Sequence, residues 1–180
     1  LLGDIINSSP TLVSNQSYGY GATSFTTSKA DRPPMLYVGA NDGMLHAFDE
    51  ATGVEKFAFI PSSLIGQLPH LTAIDYPNHH RYFVDGSPKA MDAKVNNDWR
   101  TLLLGGTGAG GKAVFALDVT DPEHFSANDI LWEYSSNDLG YSIPQPTLGQ
   151  LAGGDWVALI PNGYNSNSQK AKLLLLNVAD

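Results

Sequence analysis

The sequence predicts an all-β fold of the β-propeller type, with about three blades of antiparallel four-stranded sheet. Two observations predict it. Short apolar runs are bounded by turn-forming Gly, Pro, Asn and Asp, with 18 Gly and 11 Pro in 180 residues. Those runs also group into units that restart at a proline, which is how propeller blades read in sequence.

The first unit spans roughly residues 1–60. Ser9-Pro10-Thr11-Leu12 reads as its opening strand, and Met35 to Val38, Leu45 to Phe48 and Phe57 to Ile60 as the next three. Asn41, Asp42 and Gly43 separate two of these runs; Asn and Gly accept positive φ at low cost, so this is a hairpin signal. Asp49 leads the turn that contains Gly53. The polar stretch from Asn15 to Ala30 is expected as a loop, as is Asn162 to Gln169.

The second unit spans roughly 83–134. Ser87-Pro88-Lys89-Ala90 opens it, Trp99 to Leu104 and Ala113 to Val119 follow, and Ile130 to Tyr134 closes it. The glycine stretch 105–111 is expected as the turn. The third unit, roughly 143–180, starts at Gln145-Pro146-Thr147-Leu148 and continues with Trp156 to Ile160 and Ala171 to Val178. Pro88 to Asp118 is 30 positions and Pro146 to Asn177 is 31, a spacing that supports a repeat. The interval from Pro10 to Asp49 is 39, with the excess in the polar stretch after Ser14. Between the first two units, Pro61 to Tyr82 breaks the strand pattern. A short helical insertion is expected near 62–72, capped by Ser62 or Ser63, with Leu64, Leu68 and Leu71 as one apolar stripe.

Composition excludes several function classes. The net charge of −8 and only ten scattered basic residues argue against nucleic acid, whose phosphates need clustered Lys and Arg. With no cysteine there is no disulfide framework, thiolate metal site or cysteine nucleophile. No apolar run is long enough to span a bilayer as a helix. The chain opens at Leu1 without methionine, so it is expected to be a segment of a longer protein that supplies the remaining blades.

The residues that imitate reactive motifs read better as structure. Gly106, Gly108 and Gly111 fit G-x-G-x-x-G, but a dinucleotide fingerprint needs a helix after it, and Lys112 to Val119 is β-like. Asp49, Asp85, Asp118 and Asp155 repeat at strand ends, where Asp accepts backbone hydrogen bonds. Asn41, Asp42, Gly43, Gly86, Asn162 and Gly163 are likewise expected to form turns. His70, His79 and His80 lie near Asp75 and Asp85, yet adjacent side chains on a strand point to opposite sides and cannot share one metal. Trp99, Trp132, Trp156 and Phe57 are expected to pack between blades. No catalytic, cofactor-binding or metal-binding residue is assigned. Tyr18, Tyr20, Tyr164 and Asn165 lie in the Ser-, Asn- and Tyr-rich loops and are the candidate partner contacts.

Several long motifs occur here in one order. They are Leu2-Gly3-Asp4-Ile5 with Ser9-Pro10, the run from Arg32 to Asp49, the run from His80 to Pro88, Leu103 to Gly106 with Gly110 to Pro122, and Asn162 to Ser166. In these, the chain resembles the PilC/PilY family of type IV pilus biogenesis proteins, along its whole length. The resemblance implies a non-enzymatic protein secreted to the periplasm, outer membrane or cell surface, at the pilus tip. It implies roles in pilus assembly, opposition to retraction, adhesion and twitching motility. The implied partners are pilus subunits or minor pilins and host surface receptors. The family propeller resembles that of quinoprotein dehydrogenases without their chemistry, and the family's calcium loop is expected beyond residue 180. The alternatives are a quinoprotein dehydrogenase fragment or an outer-membrane assembly scaffold of the same fold.

Overall fold

The computed structural model describes residues 2–179. Among the described residues eleven strands form three antiparallel sheets, and the fold is all-β with few helices. The first sheet contains β1 (Thr11–Val13), β2 (Met35–Gly39), β3 (Leu45–Asp49) and β4 (Glu55–Phe59), paired in chain order. The second contains β5 (Lys89–Val95), β6 (Asp98–Gly106), β7 (Val114–Asp118) and β8 (Ile130–Tyr134), also in chain order. The third contains β9 (Thr147–Gln150), β10 (Trp156–Pro161) and β11 (Leu173–Asn177). It has three strands among the described residues, at the three runs that the sequence places in this unit.

The registers coincide between sheets. Met35 pairs with Asp49, Leu102 with Asp118, and Val157 with Asn177. Side chains alternate in facing, so each sheet buries one set against each neighbour. Met35, Tyr37, Leu45 and Ala47 of the first sheet pack with Leu103, Phe115 and Leu117 of the second. Leu102, Leu104 and Ala116, on the opposite face of that second sheet, pack with Trp156, Ala158 and Ile160 of the third. Full burial of a side chain of this size contributes roughly 1.5–3 kcal/mol. The stack is therefore held sheet to sheet, as in a propeller. The first strands of the sheets, β1, β5 and β9, lie side by side.

Antiparallel order fixes which loops share an end. The segments leading into β1, β5 and β9, the hairpins after β2, β6 and β10, and the insertion after β4 lie at one end, called upper here. The segments after β1, β5 and β9 and after β3 and β7 lie at the lower end.

Several sequence expectations require correction. β6 runs through Gly106, paired with Val114, so Gly105 and Gly106 are strand residues and the hairpin turn covers 107–113. Gly105 sits under the Phe115 ring, where a Cβ would collide with it. The hairpin holds no helix. Gly108 has φ +58, and a Cβ there would lie 2.6 Å from the Gly86 amide nitrogen. Close backbone approach is the physical reason for that glycine. β11 begins only at Leu173, so the preceding connection is longer than expected.

The polar stretch after β1 is not a plain loop: it contains α1 (Thr23–Ser28). The insertion after β4 holds α2 (Ser62–Ile65) and 3-10 turns at Leu68–Thr72 and Tyr76–Asn78. Leu64 is fully buried, with Leu68 and Leu71 packed on the same core. The cap of α2 is Pro61 rather than a serine; the Ser62 amide and hydroxyl bond Glu133 instead, at 2.6 and 3.0 Å. His79 closes a 3-10 turn, and neither it nor His80 lies on a strand, so the opposite-faces argument does not apply to them.

Candidate functional site

The upper end carries the chain's most distinctive arrangement of polar groups. Each sheet is entered by a lead-in segment wedged between hairpin turns. The Val84 amide donates to Ala40 O of the preceding sheet, and Asp85 N to Thr107 O of its own. In the third sheet, Ser142 N donates to Gly111 O of the preceding sheet, and Gly140 N to Asn162 O of its own. Asn41, in the corresponding place of the first sheet, donates its backbone N–H to Asp4 O and its Nδ2 to the Asp4 carboxylate, and accepts from the Phe83 amide.

Asn7, Asp85 and Ile143 each stand three residues before the proline that opens a sheet. They converge with Gly86, Ser87, Gly108 and Ala109 on a cleft of about 250 Å³. The Asp85 carboxylate accepts from the Asn7 amide at 3.1 Å and from Asn7 Nδ2 at 2.8 Å. Ser87 Oγ accepts from the Ser9 amide at 2.9 Å and donates to Asn7 O at 3.3 Å. Gln145 Nε2 donates to Pro88 O at 2.9 Å. These groups are spent on joining lead-in to lead-in. The Ser87 hydroxyl is thereby bonded to backbone on both sides.

A sequence profile, the PilY1 β-propeller domain, matches residues 2–180. The chain belongs to the PilY1 β-propeller domain family. Among curated relatives, the type IV pilus biogenesis factor PilY1 of Pseudomonas aeruginosa (strain UCBPP-PA14) is 44% identical over 99% of the chain. A PilY1 homolog of Xylella fastidiosa (strain Temecula1) is 39% identical over 99%. The chain spans only 16% and 13% of these two proteins. The crystal structure of the P. aeruginosa PilY1 C-terminal domain matches with a TM-score of 0.71 and 44% identity, covering 86% of this chain and 30% of that one.

Within this propeller segment, the candidate contact residues separate. Tyr164 and Asn165 lie at the upper end, in the β10–β11 connection. Tyr164 is 72% exposed. Asn165 has φ +61, and its carbonyl accepts from Lys112 Nζ at 2.6 Å. The loop is shaped by buried Asn162, whose Nδ2 donates to Asp138 O and Lys170 O and whose Oδ1 accepts from Lys172 N. Gly163, at φ +72, leaves no room for a Cβ against the Tyr141 carbonyl.

Tyr18 and Tyr20 lie at the lower end and are not part of that surface. Tyr20 packs edge-on against Trp156 at 5.2 Å, and Phe25 of α1 stacks on Trp99 at 6.3 Å. Burial pushes the Tyr18 phenol up to about 12, only partly offset by Arg32. Beneath them Lys29 Nζ reaches the Asp92 carboxylate at 2.7 Å, with both side chains buried. Arg32 donates to Thr101 Oγ1 at 2.8 Å and to Ser14 O. The segment after β1 is thus a clasp from the first sheet onto the second and third.

Asp49 and Asp118 each bond two residues or more onward in their own turns, Asp49 to Thr52 N and Oγ1 and Asp118 to Thr120 N and Oγ1. The Thr52 bonds hold the Asp49 carboxyl below its ordinary range. Asp155 is exposed, and its carbonyl accepts from Leu151 N. Asp85 and Gly86 lie in a lead-in rather than a turn. Asp42 does more than make a turn: it accepts from the Gly3 amide at 2.7 Å and meets His46 Nε2 at 3.1 Å. His46 was not singled out in the sequence; its only signal is a histidine four residues after a hairpin aspartate. His80 faces Asp4 at 3.0 Å and His79 faces Asp75 at 3.8 Å. Phe57 and Trp132 hold the same place, opposite Ala47 and Ala116; Phe57 stacks on Phe125 at 3.8 Å, and Trp99 meets Trp156 at 5.7 Å.

Proposed function

We propose that this chain is a non-enzymatic scaffold segment of a type IV pilus biogenesis factor. In this reading its upper end contacts pilus subunits or minor pilins and, at the cell surface, host receptors. The observation that carries the reading is 44% identity over 99% of the chain to a protein named as such a factor. The upper-end geometry supports it: the hydrogen-bonding groups of the cleft are spent within the scaffold, while Tyr164 and the insertion stay available for contact. Assembly of pili, opposition to retraction, adhesion and twitching motility belong to this proposal, as does placement at the pilus tip. Calcium, in this reading, is held by the parent protein outside these residues.

The test is deletion of the parent gene in its host. The expected result is loss of surface pili and of twitching, restored by a full-length copy. Unchanged pili and motility would overturn the reading, and a quinone bound to the purified full-length protein would replace it with the dehydrogenase alternative.

A further inference from the structure

The insertion after β4 builds a small open pocket of about 150 Å³, lined by His70, Ala73, Asp75, Tyr76, His79 and Arg81. Its frame is stiff. Pro69 and Pro77 fix φ in the first turns of the two 3-10 segments, and Leu64, Leu68 and Leu71 root the segment in the core between the first two sheets. Its charges are unevenly matched. Asp75 faces His79 at 3.8 Å, and the neighbouring His80 is turned to Asp4. Arg81 has no acidic partner among the described residues. The other two arginines are engaged: Arg32 is buried against Thr101 and Ser14, and Arg100 meets Asp98 and Asp118. Next to Asp75, Ile74 is fully exposed, at 102%.

An unpaired guanidinium beside two imidazoles stands out in a chain of net charge −8. A guanidinium presents a planar fork that fits a carboxylate by two parallel hydrogen bonds. The pocket is smaller than the roughly 300–1,000 Å³ of ordinary small-molecule sites, so a nucleotide or cofactor does not fit it while a single carboxylate does. An exposed isoleucine on a rigid frame suits an apolar anchor at the edge of such a contact.

We propose that this pocket receives an acidic side chain of a partner protein, with Arg81 as its carboxylate fork and Ile74 packing against an adjacent aliphatic residue of the partner. The inference rests on the reading of the upper end as a contact surface and names the chemistry of that contact.

The experiment uses the full-length protein in piliated cells. A photo-reactive benzoylphenylalanine replaces Ile74, and cross-linked peptides are identified by mass spectrometry. The same probe placed at Val54, exposed at the lower end, is the control. The expected result is a cross-link to one protein segment containing Asp or Glu beside Leu, Ile or Val. Combination with Arg81→Gln should lower the yield about tenfold, the scale of one charge-assisted bond, while Arg81→Lys keeps part of it. Equal secreted levels of each variant show that folding is intact. A yield no higher than at Val54, an unchanged yield with Arg81→Gln, or cross-linking to a glycan or to a segment without acidic residues would each overturn the proposal. A cross-link to an acidic segment of a protein outside the pilus would support the pocket while counting against the pilus reading.

Discussion

His46 stands between Asp42 at 3.1 Å and Glu55 at 3.4 Å, with its ring stacked on Phe48 and almost no exposure. Burial alone would lower the imidazole pKa, but hydrogen bonds and charge from Asp42 and Glu55 outweigh it and hold His46 above 6.5. Burial would raise Asp42, yet bonds from His46, the Gly3 amide and the Met44 amide hold it below 3.8. The signs define a window. The raised histidine contributes stability that is fully present below pH 6.5 and is lost as pH rises through its folded value. The depressed aspartate contributes stability that is present above pH 3.8 and is lost as pH falls through its folded value. Melting temperatures of wild type and His46→Gln should therefore differ most in mildly acidic buffer and converge in alkaline buffer. A difference that grows with pH would contradict this account.

A second prediction at this scale concerns the buried pair of Lys29 and Asp92, whose side chains are 2% and 0% exposed. Asp92→Ala leaves a buried ammonium without its partner and should cost about 3–5 kcal/mol in denaturant unfolding. Replacing both residues with apolar ones of similar size should cost far less. Gly163→Ala, which forces a Cβ into the left-handed region and into the Tyr141 carbonyl, should destabilise by roughly 2 kcal/mol or more and alter the Tyr164 loop.

Among the elements, the clasp after β1 joins three sheets through side chains that are far apart in sequence: Lys29 with Asp92, Phe25 with Trp99, Tyr20 with Trp156. Tyr20→Ala and Phe25→Ala should each uncover a tryptophan, giving a red-shifted fluorescence maximum and a loss of about 0.5–1.5 kcal/mol. An unshifted spectrum would mean that the clasp does not hold the tryptophans. This element also shows where local reading stops. The strands were legible because alternation and turn residues are local signals, as in Asn41-Asp42-Gly43 between β2 and β3. The clasp was not, since Ser, Thr, Asn and Tyr compose a docked segment as readily as a free loop, and its partners sit in other sheets. Gly105 and Gly106 misled for the opposite reason. Their composition signals a turn, while in the strand the Phe115 ring lies over Gly105 and the Ser142 side chain crowds Gly106. Of the candidate contacts, Tyr164 was legible as exposed, whereas Tyr18 and Tyr20 belong to the clasp.

The whole molecule is a stack of sheets with two unlike ends. The lower end carries the clasp. The upper end gathers the lead-ins, the long β10–β11 connection and the insertion with Arg81 and Ile74. The outer face of the third sheet is apolar: Leu173 and Leu175 of β11 are 57% and 49% exposed, on the side away from the second sheet. Such a face calls for a further blade, so residues 1–180 expressed alone should self-associate in sedimentation, and the full-length protein should not through this face. The contacts proposed for the upper end are measured by counting surface pili in the deletion strain complemented with full-length copies secreted to equal levels. One copy carries Arg81→Gln with Tyr164→Ser, the other Val54→Ser with Leu151→Ser at the lower end. Few pili are expected with the first and normal pili with the second. Full rescue by the first copy, or failure of only the second, would contradict the proposed contacts.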